Sequence, residues 1–297
     1  MTKSPSANIV TGTDLMGSYR QDLTTGTPPV RYAVGTGAFA DIQIVPGRVS
    51  LWGGPPNVGK TAIVVQLGID LLRLNENLKL LICNVEMPPA MLLERQVARL
   101  SAIDLTLIQN RKVRPPHHDI DNALDTLDAI KDRLCFMKAP FDLQHVTKAT
   151  DEFADNDPVL VILDYIQRVP PVAMSGKAAG DPRQQLNRSM DLIRQIADAG
   201  AAVIVVSAVG RTRDDKGRES SELEYGADDA YILHGLPGND GAVRLSHLKS
   251  RYGQLKSMDL EFHGAIQRFT PITGLPARSS PPAVSIVQTL RSPVTIN

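Results

Sequence analysis

The sequence predicts an α/β fold: a mostly parallel central sheet, helices on both faces, and an antiparallel extension at one edge. Three observations point to it. The segments KLLICN (79–84), VLVIL (159–163) and AVIVVS (202–207) are almost wholly apolar. Strands of that kind are buried on both faces, as parallel strands are. Amphipathic helical patterns separate them, which is the alternation of a layered α/β domain. After Ser207 the pattern changes to shorter strands, near 230–234, 242–248 and 258–263, and these suggest the antiparallel edge.

The elements follow in order. Residues 1–12 are rich in Ser and Thr and read as weakly ordered. Over Thr13–Thr24, Leu15, Met16, Tyr19 and Leu23 mark one face of a short helix that Thr13 would cap. So short an amphipathic helix needs a surface to dock on. Arg48–Trp52 is a strand, and a Gly/Pro-rich loop leads from it to a helix over Lys60–Leu74. A helix over Pro88–Ser101 opens on proline, which first-turn positions accept. Asp119–Arg133 is an amphipathic helix, Leu134–Lys138 a strand and Asp181–Ala199 a helix. Residues 271–297 hold five prolines and little periodicity and read as a disordered tail. The expected organisation is an N-terminal segment (1–29), one compact domain (30–270) and the tail.

Composition limits the function. The 297 residues carry 32 Lys+Arg and 32 Asp+Glu, and 42% are hydrophobic. A core of ordinary size is available, and a uniformly basic surface is excluded. The charge is nonetheless uneven, because the stretch 165–218 has nine basic and five acidic residues. Two cysteines, Cys83 and Cys135, exclude a disulfide scaffold and fit a reducing compartment. No apolar run is long enough for a membrane span, and the first residues lack the apolar core of a secretion signal. A cytoplasmic location is expected.

The chemistry begins at Gly54-Pro55-Pro56-Asn57-Val58-Gly59-Lys60-Thr61, followed by Ala62. This fits G-x-x-x-x-G-K-[ST], with an apolar strand before it and an amphipathic helix after it. In such a loop, backbone N–H groups and the helix N-terminus face phosphate oxygens. Lys60 would neutralise the β- and γ-phosphates of ATP, and Thr61 would ligate Mg²⁺. Asp164 closes the VLVIL strand, where a carboxylate can hold the same Mg²⁺. Glu86 follows the strand after the phosphate-loop helix and can polarise an attacking water.

These residues resemble the motor domain of hexameric replicative helicases of the DnaB type, within the RecA-like ATPases. Five segments, in order across roughly 30–270, carry the likeness. They are GGPPNVGKT; NVEMP, similar to the family's S-L-E-M-P; LDYIQ, similar to D-Y-L-Q; Arg218–Asp228, similar to R-E-S-G-S-I-E-Q-D-A-D; and KSRYG (249–253), similar to K-Q-R-N-G.

The resemblance implies a RecA-like P-loop fold and ATP hydrolysis with Mg²⁺ at the subunit interfaces of a homo-oligomer, a hexameric ring. It makes Glu86 the catalytic base, adds Gln167 to the nucleotide site, and makes Lys249 and Arg251 the cations that reach a neighbour's nucleotide. It implies single-stranded DNA held by Arg168, Lys177, Arg183, Arg211, Arg213, Lys216, Arg218 and Glu219, with other replication proteins as further partners. No aromatic lies among these positions, so phosphate contacts rather than base stacking are expected.

Three departures stand out. Ala208 takes the place of the family's γ-phosphate-sensing Gln, and Gly226 that of an Asp. Only about 30 residues precede the motor, so the family's N-terminal helical domain is not expected, and the Thr13–Thr24 helix would correspond to its linker helix. Two other readings compete: a RecA- or clock-type regulatory ATPase that assembles with ATP without unwinding DNA, and a loader or inhibitor that caps a helicase ring.

Overall fold

The computed structural model describes residues 10–26, 30–171, 182–208, 226–238 and 240–272. One nine-stranded sheet organises them. Its strands are β1 (Val49–Gly54), β2 (Lys79–Asn84), β3 (Leu134–Phe136), β4 (Val159–Asp164), β5 (Ala202–Ala208), β6 (Asp229–Gly235), β7 (Ala242–Ser250), β8 (Met258–His263) and β9 (Arg268–Pro271). Their order is β3-β2-β4-β5-β1-β6-β7-β8-β9. The first six in that order are parallel, and β6 to β9 are antiparallel.

The helices are α1 (Gly12–Thr25), α2 (Lys60–Leu74), α3 (Pro89–Ser101), α4 (Leu105–Gln109), α5 (His118–Asp128), α6 (Leu143–Ala154) and α7 (Pro182–Asp198). The apolar strands serve two cores because successive side chains point to opposite faces. Leu80, Ile82, Leu160, Ile162, Ile204 and Val206 meet α2, α3, α4 and α5. Val161, Leu163, Val203 and Val205 meet α6 and α7. Each face is covered, as the apolar runs require.

The antiparallel extension is welded to the phosphate-loop strand. Trp52 of β1, Tyr231 of β6 and His247 of β7 form a continuous ring stack, with centroids 4.7 and 4.3 Å apart. Gln66 of α2 bonds both backbone groups of Phe269 at 2.9 Å, so a side chain satisfies the edge strand β9. That strand, α4 and α6 have no counterpart among the expected elements. α6 carried a readable signal: the Asp142 side chain caps it, and Leu143, Val146 and Thr150 form its buried face.

Three boundaries moved. The helix expected through Arg133 ends at Asp128, and a 3-10 turn covers Lys131–Arg133. The chain turns there to bury Ile130, and Arg133 bonds the carbonyls of Asn75 and Leu78 at 2.9 Å. Thr11, not Thr13, caps α1: its Oγ1 accepts from the Asp14 N–H. α1 buries no residue, and Leu15, Met16, Tyr19 and Leu23 are all more than half exposed. Residues 273–297, expected as a tail, lie outside the described residues.

Candidate functional site: a phosphate loop between two carboxylates

The loop between β1 and α2 is shaped by its sequence. A side chain on Gly54 would strike the Leu233 carbonyl of the neighbouring strand. Gly59 sits at φ +91°, and a Cβ there would come within 2.7 Å of the Phe269 ring. Asn57 takes φ 62°, a conformation that Asn accepts more readily than most residues. Gly59 is also the N-cap of α2 and supplies no side chain to it, so the first N–H groups of that helix are left for a ligand.

A pocket of about 530 Å³ opens over this loop. Pro56, Asn57, Gly59, Lys60, Thr61 and Ala62 form one wall. Glu86, Arg95 and Asp164 face them, and Ala208, Phe262 and Gln267 complete the rim. Of the other loop residues, Pro55 offers its carbonyl to Lys60 Nζ at 2.8 Å, and Val58 packs on the core. Burial lowers the affinity of Lys60 for its proton, while Asp164 and Glu86 pull the other way.

The buried Asp164 carboxylate is the hub. Its Oδ2 accepts from Thr61 Oγ1 at 2.6 Å and from Asn84 Nδ2 at 2.7 Å. The Asn84 Oδ1 accepts from the backbone N–H groups of Glu86 and Met87 at 2.9 and 2.7 Å. Burial holds the Asp164 carboxyl above its usual range; the Thr61 bond and the charges of Lys60 and Arg95 oppose this, and Glu86 adds to it.

A stability prediction follows. A carboxyl whose folded-state pKa is raised holds its proton more tightly in the folded protein. The associated stability is present at low pH and is lost as pH rises from about 4 through the raised value. At neutral pH the ionised Asp164 therefore costs stability. Asp164→Asn should raise the melting temperature of the nucleotide-free protein, by roughly 2–4 °C for each kcal/mol relieved. Thermal melts at several pH values check this: the gain shrinks as pH falls towards about 4.

Other expected site residues lie elsewhere. The exposed Gln167 is outside the pocket lining; its Nε2 donates to Ser207 Oγ at 2.8 Å, and its Oε1 accepts from the Ala208 N–H at 3.4 Å. It ties the loop after β4 to the end of β5. Lys249 Nζ donates to the Ala227 carbonyl, and Arg251 Nη1 pairs with Asp228 at 3.2 Å. Asp228 is wholly buried and also accepts from the Val49 N–H and from Arg194. Val49 begins β1 and Gly54 ends it, so this cluster lies about 16 Å from the phosphate loop at some 3.3 Å per residue. Neither cation joins its own chain's pocket.

Arg168 is exposed, with its guanidinium 5.7 Å from the centre of the Tyr165 ring. Arg183 falls in the first turn of α7. Lys177, Arg211, Arg213, Lys216, Arg218 and Glu219 lie outside the described residues.

Sequence reasoning missed Asn84, Arg95, Phe262 and Gln267 at the pocket, and the Asp228–Arg194 pair at the far end. Arg95 left a faint trace: with Arg99 it repeats a cation at i, i+4 on α3. Burial lowers the proton affinity of its guanidinium, and Asp164 opposes that. Its Nε has no hydrogen-bond partner among the described residues. Cys83 is buried in β2, where burial pushes its thiol up to about 12.

Solved structures share this architecture. One solved helicase-type ATPase domain aligns with a TM-score of 0.71 at 18% identity, over 88% of this chain and 98% of that one. A DnaB-like replicative helicase, described with its interactions with primase, gives 0.70 at 18%, over 88% and 67%. The RadB recombinase gives 0.52 at 17%, over 80% and 98%. At these identities the likeness is one of fold, and the fold is that of RecA-like ATPase domains. No curated protein sequence matches the chain. The model of the DnaB-like helicase C-terminal domain matches residues 44–271, and the chain belongs to that family. No helix among the described residues is long and apolar enough to cross a membrane.

Proposed function

We propose that the protein is an ATP-dependent DNA translocase of the DnaB-like helicase type, which hydrolyses ATP between the subunits of a homo-oligomeric ring. The observation that carries this reading is the pocket itself: a phosphate loop with an open helix N-terminus, a lysine, a hydroxyl and two carboxylates on separate strands.

The residues fit a magnesium–nucleotide. Thr61 and Asp164 would hold the metal, and Lys60 with the N–H groups at the start of α2 would hold the phosphates. Bound magnesium supplies positive charge against the phosphate oxygens. Glu86 accepts a proton from the attacking water. Arg95 adds a cation within the same chain. Lys249 and Arg251 are too far from their own pocket to serve it, which favours their service to a neighbour's. The exposed apolar face of α1 supports docking on an adjacent subunit, as a linker helix would.

Single-stranded DNA as the track rests on the basic excess of the 165–218 stretch and on family membership. Replication proteins are the expected further partners. Domain limits of 1–29, 30–270 and 271–297 are proposed with this reading.

One observation favours the regulatory alternative. Ala208 brings only a methyl group to the pocket rim, where a longer polar side chain could report phosphate loss to the segment after β5. Steady-state ATPase assays with and without single-stranded DNA, together with unwinding of a forked duplex, separate the two. The translocase reading expects DNA-stimulated turnover and strand separation. Slow turnover indifferent to DNA, with ATP-dependent assembly and no unwinding, would sink it in favour of the alternative.

A further inference from the structure

We propose that Asn84 is a positioning residue that locks the water-activating Glu86 to the magnesium-side carboxylate Asp164. The inference rests on the ATPase reading above and adds a residue to it.

The geometry is specific to a carboxamide. Asn84 ends β2 directly opposite Asp164 at the end of β4, and its side chain is buried. Backbone N–H groups can only donate, so those of Glu86 and Met87 fix Oδ1 as the atom they face. Nδ2 is thereby turned to Asp164, where it shares Oδ2 with the Thr61 hydroxyl. One planar group thus spans the two halves of the site. Aspartate at this position has no donor for Asp164. Alanine has neither function, and serine offers one oxygen where the amide offers two separated atoms.

The consequence is kinetic rather than one of affinity. The phosphate-binding groups, Lys60 and the start of α2, do not depend on Asn84. The placement of Glu86 does, because the first turn after β2 is held by the two bonds to Oδ1. Loss of that hold lets the carboxylate wander, and misplacement by about 1 Å can cost 10²-fold in rate.

The test compares wild type, Asn84→Ala, Asn84→Ser, Glu86→Gln and the Asn84→Ala/Glu86→Gln double variant. Three readouts are used: kcat, affinity for a fluorescent ADP analogue with and without Mg²⁺, and amide hydrogen exchange over residues 85–87. Asn84→Ala should lose about 10²-fold in kcat, bind the analogue within about threefold of wild type, and exchange the Glu86 and Met87 amides at least about tenfold faster. Asn84→Ser should fall between, and it carries the test if the alanine variant fails to fold. Because Asn84 acts through Glu86, the double variant should turn over no more slowly than Glu86→Gln alone. An undiminished kcat in either Asn84 variant, or an equal further loss in the Glu86→Gln background, overturns the inference. Wild type that hydrolyses no ATP overturns the functional reading instead, and amide protection at Glu86 and Met87 tells the two failures apart.

Discussion

Arg251→Ala lowers the turnover of the assembled protein by about 10³-fold or more, the scale on which a cation delivered to a transferring phosphoryl group works. Nucleotide binding to the unassembled subunit is unchanged, because Arg251 lies at the opposite end of β1 from the phosphate loop. The substitution leaves Asp228 accepting from the Val49 N–H and from Arg194, so the buried carboxylate keeps a compensating charge and the fold persists. Arg251→Lys does not restore turnover, since a point charge lacks the planar fork.

Mixing supplies the decisive measurement. Lys60→Ala subunits cannot hydrolyse ATP but still present Arg251, whereas Arg251→Ala subunits have an intact pocket and no finger. Co-assembled, the two inactive variants should recover part of the activity. Full turnover by assembled Arg251→Ala would end the assignment. Asp228→Ala is a different lesion: two guanidinium groups lose their buried partner, and a cost of about 3–5 kcal/mol is expected from breaking a buried pair on one side.

Glu86→Gln is the second large effect. It should reduce kcat by about 10²–10⁴-fold, the range of a positioned general base, with ATP affinity nearly unchanged. The main-chain bond from Glu86 to Asn84 Oδ1 survives the substitution, so the carboxylate is removed without moving its backbone. Lys60, Thr61 and Asp164 also remain. Single-turnover hydrolysis with equilibrium binding of the same nucleotide checks this, and a fall in both by the same factor would show that Glu86 only supports binding.

Much of the frame could be read from residue order. The ends of β2, α2 and β8 agree with the expected limits to the residue, because apolar runs and a glycine–lysine helix start mark them locally. β9 escaped notice because its backbone partners include a glutamine 203 positions earlier. The helix before β3 ran short because Arg133 was needed to bond the carbonyls of the α2–β2 turn.

The site divides in the same way. The phosphate loop is eight consecutive residues, and its glycines, its lysine and its threonine act through local backbone geometry, so the sequence alone determined it. With Glu86 and Asp164 placed at strand ends, it also determined the class of chemistry. It could not determine what Asn84, Arg95, Arg194 and Asp228 do. Their partners lie far away in the chain: 80 positions from Asn84 to Asp164, and 34 from Arg194 to Asp228. Buried polar groups must find partners wherever the strands bring them, since leaving them unpaired costs more than any local preference returns. The order of strands, set by packing two apolar faces at once, made those pairings and put Arg251 out of reach of its own phosphate loop.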